Sequence, residues 1–375
     1  MFSKSSISGI TLESAGLVAL ADLSTVAVRT ALMGTASWLD VLVLAPGMHQ
    51  QQSADEVNRG EFPQTGSLTS GYVFRVENPA TVSYLQCIGR TGYLVTAQVE
   101  PKPVFRNPSK IPYFKSIDLY PQNHSFYIAG YSVALLYLLC PILTIVVFAL
   151  VGSVRDWWAL AVLGMLVLSR TINVYVMKRR VSDSENWKGT KEMGAGDLLI
   201  VLSQDRWVRL RGELPDIKRV TAGQWLRDEN RVESLAVGFA TLLVYAAAAL
   251  AGNASTIGSL LIAVLLLCSV ALLAVCNSLT RRLQMYDCIV QEEKSLRKQY
   301  DGRLDMVKDL VAEEIKHASE KGGHAGGQDD RESDVGEWAI SMGLIKRREL
   351  EIIFTELSGG PEPPSLPVSP DAETC

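Results

Sequence analysis

FYIAGYSVALLYLLCPILTIVVFALV, residues 126–151, runs for 26 positions without a charged side chain. About 20 apolar residues suffice to cross ~30 Å of hydrocarbon at ~1.5 Å per residue, so this stretch is long enough for a transmembrane helix. Phe126, Tyr127 and Tyr131 gather at one end, as amphipathic rings do at a membrane interface. Pro141 falls near the middle, where it removes a backbone donor and crowds the carbonyl four residues back, so a helix kink is predicted there. After a short turn, 152–156, Trp157 and Trp158 open a second apolar run over 157–177 that ends on Lys178, Arg179 and Arg180. Two further runs, 235–251 and 257–276, are joined by residues 252–256 and closed by Arg281 and Arg282. The predicted fold class is therefore a membrane protein, mainly α, with four transmembrane helices as two hairpins, small cytosolic β elements and C-terminal amphipathic helices.

These runs account for an unusual composition. Of 375 residues, 48% are hydrophobic and 20% charged, and the mean hydropathy is +0.15. Formal net charge is −4, with 36 Lys and Arg against 40 Asp and Glu, which leaves no polybasic excess for nucleic acid. A disordered chain and a disulfide-rich secreted module are also excluded. The six cysteines contain no C-x-x-C pair, so neither a zinc site nor a redox dithiol is expected. The short run 15–21 stops at Asp22, too soon for the apolar core of a signal peptide. Residues 178–233 carry 12 Lys or Arg, and Lys110 and Lys115 precede the first span, whereas the two short turns hold only Arg155. The positive-inside bias then places both termini and the central loop in the cytosol.

Around the spans the chain divides at 1–120, 121–177, 178–233, 234–280, 281–319, 320–358 and 359–375. The first region is read as cytosolic: a mildly apolar start, 16–44, forms a buried helix or strand pair. Residues 72–76, 82–87 and 93–99, rich in β-branched and aromatic types and separated by Asn78-Pro79 and 89–92, form a three-stranded antiparallel meander. Pro101, Pro103, Pro108 and Pro112 punctuate the connection toward the first span. In the central loop, 197–203, 207–210 and 217–220 read as a small β unit, with Trp207 and Trp225 either in its core or at the membrane interface. Leu296, Tyr300, Leu304, Val307, Val311 and Ile315 recur at spacings of three and four, one stripe of an amphipathic helix within 281–319. A Gly, Asp and Glu-rich linker, 320–333, leads to a helical pair over 334–344 and 346–357, and the Pro-rich tail 359–375 is expected to be disordered.

Arg170 is the one charge inside a span, and Asn173 shares its helical face. A charge there needs a partner or a route to water. Two readings stay open: Arg170 and Asn173 line a polar cavity for an anionic group or lipid headgroup, or the long side chain snorkels to the interface ~12 Å away. No Asp or Glu occurs in any span, which weakens a proton- or cation-coupled transporter. His317, three residues after Glu314, has the spacing of a di-iron ligand pair, but only one copy exists among four histidines, so a solvated helix face is expected and no metal. Gly194 and Gly196 precede a strand rather than follow one, which reads as a turn and not a phosphate loop. No Walker lysine, nucleophile elbow or H-E-x-x-H is present, so no catalytic residue and no cofactor is assigned. Asn123 and Asn253 fit the glycosylation acceptor pattern but are expected to stay unmodified in this topology. The P-x-x-P spacings from Pro364 to Pro370 have acidic flanks and no basic anchor, which favours a spacer.

The runs WKGTKE (187–192), GDLLIVLSQDRWVRLRG (196–212) and VTAGQWL (220–226) resemble uncharacterised multi-pass membrane proteins of filamentous fungi. That resemblance covers about half the chain and implies a cellular setting without an activity. Because the patterned soluble sequence lies on one side, the expected function is a non-enzymatic interaction or scaffolding protein, with the lipid bilayer and cytosolic proteins on the C-terminal helices as partners. The alternative is a small channel or transporter with a cavity near Arg170 and Pro141.

Overall fold

The computed structural model describes residues 18–101, 131–182, 194–321 and 335–357. The Pro-rich connection before the first long helix, Phe126, Tyr127, Asn123, most of the 320–333 linker and the 359–375 tail lie outside them, as does the His317 side chain. Helix α1, Thr25–Met33, is followed by two 3-10 segments, Trp38–Leu42 and Met48–Asn58. Strands β1, Gln64–Ser67, and β2, Val73–Arg75, then form a short antiparallel pair.

Helix α2, Pro79–Ile88, stands where the middle strand of a meander was expected. Asn78 and Pro79 are its start: the Asn78 side chain accepts from the Ala80 and Thr81 amides (3.1 and 3.3 Å), and proline fills the first helical turn, where its missing N–H costs nothing. The β-branched content of 82–87 is overridden by this cap and by burial of Val82, Tyr84 and Leu85. Strand β3, Tyr93–Pro101, pairs in parallel with a distant strand rather than with its predecessor.

Among the described residues, four helices are long and apolar enough to cross a membrane. They are α3, Tyr131–Val154; α4, Trp157–Ser182; α6, Arg231–Leu250; and α7, Thr256–Leu279. The turns within each hairpin are short, as expected, but the closest packing runs between hairpins, α3 along α7 and α4 along α6. One carboxylate fixes both turns: Asp156 Oδ1 accepts from the Ala159 amide (3.2 Å) and Oδ2 from the Ser255 amide (2.7 Å). Gly258 permits the approach, since a Cβ there would lie 2.4 Å from Asp156 Oδ2.

Between the hairpins come β4, Ala195–Leu202, β5, Arg206–Glu213, and α5, Leu214–Thr221. The last is helical where a strand was expected over 217–220; Pro215 opens it, and Ile217, Val220 and Thr221 bury one face at helical spacing. After α7 the chain forms β6, Arg282–Met285, β7, Cys288–Glu292, and β8, Lys298–Gln299. The amphipathic helix expected across 281–319 is therefore shorter, α8, Arg303–Lys321, beginning just after Gly302. Helices α9, Glu337–Ser341, and α10, Arg347–Leu357, form the expected C-terminal pair.

All eight strands join one mixed sheet, ordered β2-β1-β4-β5-β3-β7-β6, with β8 also on β3. Its side chains alternate between two buried faces. Leu198, Ile200, Leu202, Val208 and Leu210 pack with α2, α5 and Trp225, together with Val174 and Met177 from the end of α4. Leu199 and Trp207 face the other way, against Met306, Val307, Leu310 and Val311 of α8 and Trp338 of α9. Trp207 (2% exposed) and Trp225 (1%) are both core residues, which settles the choice between core and interface.

Candidate functional site

Arg170 lies on α4 thirteen residues from Trp157, ~20 Å along the helix. It is 2% exposed. Its Nε donates to the Asp40 carbonyl (3.0 Å) and its Nη1 to Gln51 Oε1 (2.6 Å). Asn173, one turn on, is fully buried; its Nδ2 reaches the Met48 carbonyl at 3.5 Å, while its own carbonyl accepts from Gln52 Nε2 at 2.9 Å. Both candidate residues therefore turn toward the two 3-10 segments.

The first of those segments runs between α3 and α4, and the second lies against α1, α2, α4 and α6. Thr144 on α3 donates to the Leu42 carbonyl (2.7 Å), and Tyr137 donates to the Asp40 carboxylate. Pro141 is buried in the intervening turn of α3, which continues through it. Each unpaired backbone group buried among apolar helices would cost roughly 1–3 kcal/mol. Arg170, Asn173 and Thr144 donate to the Asp40, Met48 and Leu42 carbonyls, the first of which also accepts from the Val43 amide. Leu44 and Met48 fill the space with Val147, Leu163 and Leu166 of the same helices. Two glycines make the entry and exit turns: Gly34 (φ +70°) lies where a Cβ would meet the Gln284 carbonyl at 2.2 Å, and Gly47 (φ +78°) where it would meet the Leu23 carbonyl at 1.9 Å.

A second set of contacts ties this cluster to α1 and α7. Gln51 Nε2 donates to Thr30 Oγ1 (3.2 Å), Arg29 Nη1 donates to Thr280 Oγ1 (3.0 Å), and the Arg29 guanidinium lies 5.3 Å from the Tyr137 ring centroid. Toward the sheet, Arg180 Nε donates to the Arg227 carbonyl (2.8 Å), and its Nη1 reaches Gln52 Oε1 (3.2 Å) and Glu229 Oε1 (3.0 Å). Arg227 and Arg179 both pair with Glu233, at 2.8 and 3.3 Å. Trp225 Nε1 donates to the Gly34 carbonyl (2.9 Å).

Asp40, Gln51, Gln52 and Thr144 are the partners that reading the sequence missed. The contacts of Asp40, Gln51 and Gln52 to α4 and of Thr144 to Leu42 each span more than 100 residues of chain, and nothing local in residues 38–52 marks them. Glu314 Oε2 accepts from Trp338 Nε1 at 3.2 Å. Among the described residues, no group of three or more His, Cys, Asp or Glu side chains is placed to hold a metal ion. Gly194 leads into β4 as expected, whereas Gly196 lies inside the strand, paired with Gly212 of β5.

On the far face of the sheet, charge fastens α8. Arg209 binds Asp197 (2.6 Å) and Glu313 (2.6 Å), and Arg211 bridges the same two carboxylates at 3.3 and 2.6 Å. Partial burial pushes the Glu313 carboxyl up, but the hydrogen bonds and charges of Arg209 and Arg211 outweigh it and hold it below the usual glutamate range. For the neighbouring Glu314 burial prevails and the carboxyl is raised. Comparison with protein-family models, curated proteins and solved structures finds no match for this chain.

Proposed function

We propose that the chain is an integral four-span membrane protein whose α/β sheet domain lies on the cytosolic side and acts as an interaction or scaffolding surface, without an enzymatic activity of its own. The observation that carries this reading is the distribution of apolar surface on the four long helices. Leu135, Leu139, Ile142 and Ile145 on α3, Leu235, Phe239 and Leu242 on α6, and Val264 and Leu267 on α7 all point outward and are at least 44% exposed. Such a patch has no place in water, and a bilayer covers it at no cost. The basic residues Arg179, Arg180 and Arg227 gather where these helices meet the sheet, as the positive-inside bias expects of a cytosolic face. In this setting residues 34–52 are a re-entrant element, tolerable at membrane depth because protein covers its backbone.

A channel or transporter reading would rest on Arg170 and Pro141 lining a cavity. Engagement of the Arg170 guanidinium by Asp40 and Gln51 favours the scaffolding reading instead. The test is alkaline carbonate extraction of cell membranes combined with proximity labelling from the C-terminus. The protein is expected in the pellet, labelling cytosolic proteins; release into the supernatant, or labelling confined to lumenal proteins, would refute the proposal.

A further inference from the structure

Strand β2 closes the sheet on one side: it pairs with β1 alone, so its outer edge is open among the described residues. An open edge of this kind invites another segment of chain. Tyr72 (69% exposed) and Phe62 (51%) stand beside it, and the Tyr72 and Phe74 rings stack at 6.0 Å. A cleft of about 530 Å³ runs here, lined by Gly60, Phe62, Gln64, Val73, Phe74 and Arg75. Arg75, which lines it, and Arg59, next to its Gly60, are exposed and form no ion pair with a described residue. The edge is thus aromatic and cationic.

Residues 358–375 have the complementary chemistry. They hold five prolines and the carboxylates of Glu362, Asp371 and Glu373, with no Lys, Arg or His. Proline-rich segments pre-set in polyproline II dock against aromatic grooves at low entropic cost. The segment also leaves from the right place. It follows α10, whose Phe354 shares one apolar cluster with Val73 of β2 and with Met342, and a Cβ on Gly66 of β1 would run into Met342. Ten residues in polyproline II would span ~31 Å, several times the ~5 Å between neighbouring strands.

We propose that residues 358–375 dock intramolecularly on the β2 edge, with prolines against Phe62, Tyr72 and Phe74 and carboxylates toward Arg59 and Arg75. The tail is then a built-in cover for the sheet edge that a partner peptide would otherwise take. This inference does not depend on membrane insertion or on the scaffolding role.

The experiment uses the detergent-solubilised protein with residues 358–375 deleted and a fluorescent synthetic peptide of those residues, titrated to millimolar concentration because tethering supplies an effective concentration of that order. Saturable binding is expected. Arg75→Glu or Tyr72→Ala, both surface changes, should weaken it at least tenfold, and the full-length chain should bind the peptide at least tenfold more weakly than the deleted one. In parallel, deletion should speed amide hydrogen exchange over 62–76 and leave 303–316 unchanged. Absence of binding together with unchanged exchange would overturn the proposal. So would equal binding of a proline-rich peptide lacking the acidic residues, which would make the cleft a general peptide site.

Discussion

The Arg170 guanidinium sits among apolar side chains, and the cost of desolvating it is offset by two acceptors, the Asp40 carbonyl and Gln51 Oε1. Removing it leaves Gln51 Oε1 without its donor and leaves the Asp40 carbonyl with the Val43 amide alone. Arg170→Ala is therefore expected to destabilise the protein by about 1–3 kcal/mol, read as a lower thermal midpoint in detergent. Arg170→Lys should restore little, because one ammonium cannot reproduce a planar fork that serves two acceptors. A midpoint unchanged by Arg170→Ala would show that the N-terminal segment is not held this way. Arg170 and Asn173 were legible from the sequence as a problem, since a charge in an apolar run demands an explanation. The solution was not legible, because its partners lie 119 and 130 residues earlier in a stretch whose polar residues have no periodic signature.

Elements were readable where one signal dominated. The four long helices, β4 and β5 emerge from apolar runs and alternation, β4 within two residues at each end and β5 three residues longer at its end than read. Residues 82–87 failed because β-branched content was weighed above the Asn78-Pro79 cap, and 217–220 failed because four residues cannot distinguish a period of 2 from one of 3.6. The apolar stripe of α8 was read correctly from Val307 onward, but its use is internal: Met306, Val307, Leu310 and Val311 are buried on the sheet. That docking is pH-dependent. Glu313 has its folded-state carboxyl held below the unfolded value of roughly 4.3, so it contributes stability that is present above that value and lost as pH falls through the folded one. Glu314, shifted the other way, contributes with opposite sign. Glu313→Gln should flatten the loss of α8 protection on acidification below about pH 4.3, measured by hydrogen exchange over 303–316. An acid profile identical to that of the parent would remove Glu313 from the account.

At the scale of the molecule, the sheet is not a domain in sequence. Strands β1–β3 precede the first hairpin, β4 and β5 lie between the hairpins, and β6–β8 follow the second, so each pair of long helices is an insertion into one α/β unit. Val174 and Met177 carry α4 directly into the sheet core, and Trp225 bonds to Gly34 at the start of the irregular segment 34–52. Dividing the chain into soluble and apolar blocks could not foresee this, because pairing of β3 with β5 joins residues more than 100 apart and leaves no local trace. The arrangement places both hairpin turns at the end of the helices remote from the sheet. Sealed vesicles with the cytosolic face outward give the most direct test, using a cysteine-free background and an impermeant maleimide. Glu351→Cys on α10 should label at once and Ser153→Cys at the first turn only after permeabilisation; labelling of both positions in intact vesicles would contradict a four-span fold with its sheet on one side.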